Sequence, residues 1–320
     1  MQERNRWRSA DFHCDVLWKL LEDESLSFVS DSTGKLDVTL PRLREAGSML
    51  QTFAIYISER SPKTMEPILK SIDHFNQKVL VNPEMKAVRN KADVRDLKQS
   101  GKIGALLSLE GADRLHGDMA MLRILFELGI RACGLTWNNS NWGADGATEP
   151  RGGGLTGKGI AFVKECNRLG IILDVSHLSE AAFWDMADTT AKPLIASHSN
   201  ARSLCDHPRN LRDDQIRALI TMGGRIGVTF VPPFVSADGK AGIDQCLHHV
   251  EHICSLGGAA QVMLGSDFDG IDTYIDGLTH PGELYRLKNA LHKHYSDQEV
   301  AGFLADNAMT YLLDELPKSE

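Results

Sequence analysis

Eight runs of apolar and β-branched residues recur along this chain, and most of the stretches between them carry helical periodicity. The runs cover residues 9–17, 49–57, 103–110, 130–137, 171–177, 193–198, 225–231 and 262–267. Within 157–169, Ile160, Phe162, Val163 and Cys166 are spaced to share one helix face, and 179–189 opens on a serine suited to cap a helix. A helix between two strands carries the chain back to the end where the first strand began, so successive strands pair in parallel. Eight such units predict an α/β fold closed as a (β/α)8 TIM barrel. No Pro/Gly/Ser-rich linker, low-complexity stretch or repeat divides the 320 residues, so residues 1–320 are read as a single barrel domain.

The polar chemistry collects where these runs stop. His13 and Asp15 close the first, Glu110 the third, His177 the fifth, His198 the sixth and Asp267 the eighth. In a (β/α)8 barrel the carboxyl ends of the strands share one mouth, so groups 254 positions apart in sequence, His13 and Asp267, are predicted to meet there. Three carboxylates brought together repel one another unless a cation lies between them. Imidazoles with carboxylates suit a divalent ion such as Zn2+. In an extended chain His13 and Asp15, at i and i+2, face the same side. Either residue alone says little, since a lone strand-end histidine is more often a hydrogen-bonded core residue than a ligand. The whole set, each at the end of a run, argues for metal.

Composition narrows the rest. A formal net charge of −8 and a pI near 5.8, with basic residues scattered, exclude nucleic acid and an anionic membrane as main partners. The N-terminus MQERNRWRSADFHCD has no apolar leader core, no run reaches the ~18 apolar residues of a spanning helix, and LLDELPKSE is no lipid-anchor tail. A cytoplasmic protein is expected. Six widely spaced cysteines form no CxxC pair and are read as reduced thiols, with Cys14 turned into packing.

Six stretches make the reading specific: DFHCD at 11–15, LSLEGAD at 107–113, ILDVSHLS at 172–179, IASHSNAR at 195–202, DHPRN at 206–210 and GSDFDG at 265–270. Together they resemble the membrane dipeptidase (renal dipeptidase-like) family, peptidase family M19, in its bacterial type, across nearly the whole chain. The resemblance implies an amidohydrolase-like barrel holding two divalent ions, read as Zn2+. It implies that His13 and Asp15 hold one ion, His177 and His198 the other, and that Glu110 bridges them. Arg209 matches the arginine that grips the substrate's C-terminal carboxylate, where a guanidinium fork fits a planar anion. Without the resemblance, Arg209 would read as a surface arginine paired with Asp206 or Asp213. Asp267 matches the acid/base aspartate. Asp269 is given a structural role, as is His207. His248, His249 and His252 are read as a solvated polar stretch, although His248 and His252 stand at i, i+4.

One position departs from the family. Its mammalian members carry a fourth-strand histidine that contacts the substrate carbonyl, whereas here LTWNNSN places Trp137 there. Trp offers no acceptor and no cation, which leaves that contact to a metal or to Asn138. The expected activity is hydrolysis of dipeptides, including those with a C-terminal D-residue, by a metal-activated bridging water. The alternatives are hydrolysis of a lactone, β-lactam or N-acyl amino acid, or a catalytically silent metal-binding protein. The expected partner is a small dipeptide, and family members dimerise, which implies a homodimer.

Overall fold

Parallel pairing carries the whole architecture, because every strand is followed by a connection that returns to the same end of the sheet. In the computed structural model, which describes residues 7–30, 33–238 and 240–318, nine strands are numbered in chain order. They are β1 (Ser9–Asp11), β2 (Ser48–Tyr56), β3 (Met85–Ala87), β4 (Ile103–Glu110), β5 (Ile130–Gly134), β6 (Ile172–Asp174), β7 (Ile195–Ala196), β8 (Arg225–Val228) and β9 (Val262–Leu264). The order β2-β1-β9-β8-β7-β6-β5-β4 is closed by β2 pairing with β4, from Leu50↔Gly104 to Tyr56↔Glu110. The result is the eight-stranded (β/α)8 barrel that the alternation predicts.

The ninth strand, β3, was not foreseen. It lies against the start of β4 (Met85↔Ile103 to Ala87↔Ala105), on the flank that β5 takes over from Leu107 onward. Three residues are too few to show an alternating pattern. The other strands begin close to their predicted positions and mostly stop earlier. Thus β1 ends at Asp11, and a helix spans Val16–Glu22, so His13 and Asp15 lie on irregular backbone beyond the strand. The helix Gly157–Leu169 buries Phe162, Val163 and Cys166, but Ile160 is 38% exposed and does not share their face. Ser179 caps Glu180–Thr189 by accepting from Ala182 N. The six cysteines are unpaired, and Cys14 is wholly buried in the apolar core.

Two apolar clusters share the strands. Ala105, Leu107 and Leu109 of β4 pack in one with helix residues such as Leu122, Phe162, Met186 and Leu219. Leu106, one position out of phase, joins Leu50, Ala132, Ile172, Ile195 and Met263 in the other, with Met309, Tyr311 and Leu312 of the helix Asn307–Glu315. That helix lies at the amino ends of the strands. Tyr311 Oη donates to Pro193 O just before β7, Arg225 Nε to Asn307 O, and Asn307 Nδ2 to Val262 O. The opposite, carboxyl end is left for polar groups. Among the described residues no helix is long and apolar enough to cross a membrane. Residues 1–6 and 319–320, where part of the leader and tail reading falls, lie outside the described residues.

A carboxylate clasp holds the loop after β9 to the chain after the first helix. Asp269 accepts from Asp37 N at 2.8 Å and Val38 N at 2.9 Å, and its own N–H donates to Asp37 Oδ2 at 2.9 Å. This is the structural role read from the sequence. Asp269→Ala leaves two buried N–H groups without acceptors and is expected to lower stability by about 2–4 kcal/mol. Denaturant unfolding measures it, and a loss under about 0.5 kcal/mol would show that the clasp is dispensable.

Candidate metal centre and active site

The last residue of β4 is Glu110, and its two carboxylate oxygens face two different sets of side chains. Oε2 lies 3.4 Å from His13 Nε2, which is 3.3 Å from Asp15 Oδ2. Oε1 lies 2.6 Å from His177 Nε2 and 3.6 Å from His198 Nε2, and these two nitrogens are 2.8 Å apart. Asp267 closes the ring, with Oδ1 3.7 Å from His13 Nε2. The structure therefore brings together all six residues that the sequence placed at strand ends. Three overlapping groups have ligand atoms within 4.8 Å of one another: His13–Asp15–Glu110, Glu110–His177–His198 and His13–His198–Asp267.

This donor set fits a divalent cation. His13 Nε2 and Asp15 Oδ1 are buried with no hydrogen-bond partner, and such orphans carry a desolvation cost that a metal would remove. Asn138 Oδ1 lies 2.8 Å from His177 Nδ1 and can only accept, so the ring proton sits at Nδ1 and the Nε2 lone pair faces the cluster. Gly270 makes the crowding feasible. A Cβ there would lie 2.3 Å from Asp15 Oδ2 and 2.6 Å from Asp267 Oδ1.

The electrostatics follow from this crowding. Burial pushes the His177 pKa down to about 4, with Arg209 adding to it. Burial, then His13 and Arg209, holds His198 well below its usual value. Both imidazoles are thus neutral, the state that ligates metal. Burial opposes charge on His13, but the Glu110 and Asp15 carboxylates outweigh it and raise its pKa well above normal. Burial works against an ionised Glu110 too, yet His13 and His177 hold its pKa well below the usual range. Asp267 is pushed well above the ordinary carboxylate range by burial, with Asp15 and Glu110 adding repulsion and His13 opposing them.

Backbone strain gathers at the same place. Among the described residues four non-glycine residues have positive φ: His116 at 52°, His177 at 72°, and Asp267 and Asp269 at 67°. His177 and Asp267 belong to the cluster, and such strain persists only where surrounding contacts enforce it. The His177 carbonyl accepts from Ala147 N at 2.7 Å and Thr136 Oγ1 at 3.3 Å, and Asp267 N donates to His13 O at 3.3 Å.

The cluster opens into a pocket of about 240 Å³ lined by Asp15, Trp18, Tyr56, Glu110, Trp137, Asn138, His177, Arg209, Phe234 and Asp267, among others. Arg209 is buried, not a surface residue. Asp206 pairs with Arg202 and Asp213 with His252, so neither acid serves it. Its Nη2 reaches His198 O at 3.4 Å, and its Nε is buried without a partner. Burial lowers its pKa to about 10, still far above neutrality, so a cation waits in the pocket for an anion. Asn138 lines the pocket, but its amide oxygen is engaged by His177.

Some residues the sequence did not single out. Trp18 Nε1 is also buried without a partner, and Trp18, Tyr56 and Trp137 form an aromatic wall with centroids 5.7 Å and 5.1 Å apart. Trp18 stands three residues after Asp15, one helical turn on, and that spacing was the available signal. His249 corrects the reading of a solvated stretch. It is 1% exposed, accepts from Ala201 N at 3.2 Å and lies 3.0 Å from Val235 O. His252 binds Asp213 at 2.8 Å. His207 packs against Phe234 and accepts from Arg209 N, bracing the loop that carries Arg209.

The family model for membrane dipeptidase (peptidase family M19) matches residues 4–314. An uncharacterized protein in the pqqA 5′ region of Klebsiella pneumoniae is 38% identical over 219 residues, 65% of this chain and 80% of that protein. An uncharacterized dipeptidase of Schizosaccharomyces pombe is 34% identical over 258 residues, 75% of this chain but only 62% of its own length. A metallopeptidase from Rhodobacter sphaeroides, solved with a phosphinate mimic of the dipeptide L-Ala-D-Ala, superposes with a TM-score of 0.90 at 28% identity, covering 97% of this chain and 99% of that one. A dipeptidase of family M19 superposes equally well, with a TM-score of 0.90 at 28% identity over 98% of this chain and 99% of its own.

Proposed function

This chain belongs to the membrane dipeptidase family, peptidase family M19, and from that premise we propose that it is a two-zinc dipeptidase that accepts a D-residue at the second position. The observation that carries the reading is a buried arginine with an unpartnered Nε in a pocket also lined by three of the five proposed metal ligands, Asp15, Glu110 and His177. Arg209 Nη2 lies 3.4 Å from the carbonyl of His198, a proposed ligand, so a carboxylate held by Arg209 would sit close to a peptide bond at the ligands, as it does in a dipeptide. The D-residue tolerance draws support from the Rhodobacter sphaeroides relative and its L-Ala-D-Ala mimic.

In this reading His13 and Asp15 would hold one ion and His177 and His198 the other, with Glu110 offering one oxygen to each. Bound zinc would supply Lewis acidity that polarises the scissile carbonyl and lowers the pKa of the attacking water. The chain's own groups do the rest. Asp267 takes the proton from the attacking water and passes it to the leaving amine. Arg209 orients the substrate through a charge-assisted pair with its carboxylate. Trp18, Tyr56 and Trp137 exclude water from one side of the pocket. Tyr56, whose pKa burial and then Glu110 and Asp15 push up to about 12, stays a neutral hydroxyl. Trp137 cannot polarise the carbonyl as a histidine would; Asn138, whose oxygen is taken by His177, still has its NH2 to donate to that carbonyl.

A panel of L-L and L-D dipeptides, assayed with metal-stripped and zinc-loaded protein, tests the activity. Hydrolysis is expected only with metal, at close to two ions per chain by elemental analysis. Turnover of lactones or N-acyl amino acids in preference to dipeptides would reject the reading. Arg209→Ala should lower kcat/KM for dipeptides by about 10- to 150-fold, the worth of one charge-assisted bond. Equal activity of the variant and parent on dipeptides and dipeptide amides would remove Arg209 from recognition. Asp267→Asn keeps size and hydrogen bonding but not the proton acceptor, so kcat should fall by a factor on the order of 10²–10⁴ with metal content unchanged. Metal loss reversed by excess zinc would instead make Asp267 a ligand.

A further inference from the structure

Metal ligation explains the two histidines of the DVSH and SHSNAR stretches, but not the aspartate and serines beside them. Asp174 ends β6, and its carboxylate is pinned by two backbone donors: Oδ1 accepts from Ser176 N and Ser197 N, each at 2.9 Å. Oδ2 is left facing Ser197 Oγ, which donates to it in a short hydrogen bond. The same Oγ lies 2.7 Å from His198 Nδ1. A serine hydroxyl has one proton. With that proton on the carboxylate, the oxygen can only accept from His198, so the imidazole carries its hydrogen at Nδ1. The other candidate acceptor, Ser176 Oγ, is farther away at 3.4 Å and itself accepts from His198 N at 3.1 Å.

We propose that Asp174 and Ser197 are positioning residues, a carboxylate–hydroxyl relay that fixes the His198 tautomer so that its Nε2 lone pair faces the metal site. The proposal rests on the reading of His198 as a ligand. The relay is rigidly seated. A Cβ at Gly227 or Gly265 would come within 1.9 Å or 1.8 Å of Ser197 O, so β8 and the residue just after β9 approach the serine backbone too closely for a side chain there. The His198 ring also packs against His13, tilted by 34° with centroids 3.8 Å apart. His177 reaches the same end differently, through the neutral amide of Asn138. Outer-shell partners of this kind typically change metal affinity by about 10- to 100-fold.

Asp174→Asn tests the polarity of the relay at constant shape. The amide oxygen can keep both backbone N–H groups, while its NH2 faces Ser197 Oγ and donates to it. The serine proton then turns to His198 Nδ1, and the imidazole proton moves to Nε2, where it blocks ligation. Two measurements on the full chain read this out: 15N NMR of the His198 ring in metal-stripped protein, and zinc affinity by chelator competition. The expected result is an Nδ1–H tautomer in the parent, an Nε2–H tautomer in Asp174→Asn, and a loss of about 10- to 100-fold in affinity at one site. Ser197→Ala should show a similar loss while the stripped protein keeps its fold by circular dichroism, and it carries the test if Asp174→Asn does not fold. His198→Ala separates the two layers of the argument. If it leaves affinity unchanged, His198 is no ligand and both readings fall. If it lowers affinity while Asp174→Asn and Ser197→Ala bind zinc as the parent does, the relay alone is overturned.

Discussion

Glu110 stands at the centre of a crowd that polar chemistry alone does not satisfy. Its two oxygens lie between His13 and Asp15 on one side and His177 and His198 on the other, with Asp267 across the ring. Three carboxylates against one arginine leave a formal excess of two negative charges in a pocket that also contains buried lone pairs. The opposed pKa shifts of His13, Glu110 and Asp267 express that imbalance: each group's protonation is set by its neighbours more than by water. A divalent cation held here would resolve the conflict by accepting the lone pairs and offsetting the charge.

Much of the surrounding structure serves to hold that crowd in place. His177 and Asp267 keep left-handed backbone conformations, and Gly270 has no side chain where one would strike Asp15 and Asp267. The Asp269 clasp ties down the loop that carries Asp267. Asp11 plays a matching part at the first strand, accepting from Ser266 N at 2.9 Å and Ser266 Oγ at 2.5 Å, and so joins the chain before His13 to the chain before Asp267. Packing at the other end complements this arrangement. The helix Asn307–Glu315 adds apolar side chains at the amino ends of the strands, so the stabilising core and the polar mouth occupy different ends, as barrel enzymes commonly divide them.

The two groups of polar side chains in the pocket come from different parts of the chain. Glu110 ends β4 and the other proposed ligands lie just beyond the ends of their strands, whereas Arg209 comes from the loop after β7, braced by His207 and Phe234. Neither element can shift far without breaking buried hydrogen bonds.

The sequence by itself determined the barrel and the membership of its mouth. Apolar, β-rich runs alternating with helical segments leave few topologies, and strand ends in a closed parallel barrel must converge, so His13, Asp15, Glu110, His177, His198 and Asp267 could be grouped from their positions along the chain. Local patterns carried less at short range. β3 is too brief to signal itself, Ile160 turned to solvent, and His249 proved buried because Val235 and Ala201, far away in sequence, supply its partners. Only the tertiary structure decided the partnerships. It showed that Asn138 serves His177, that Arg209 is buried without an acid, that Trp18 Nε1 is unpaired, and that Asp174 reaches His198 through Ser197. Burial and hydrogen-bond direction depend on which side chains meet across strands. Residue type and spacing along one chain encode where a strand runs, but not which neighbour takes the single proton of a serine.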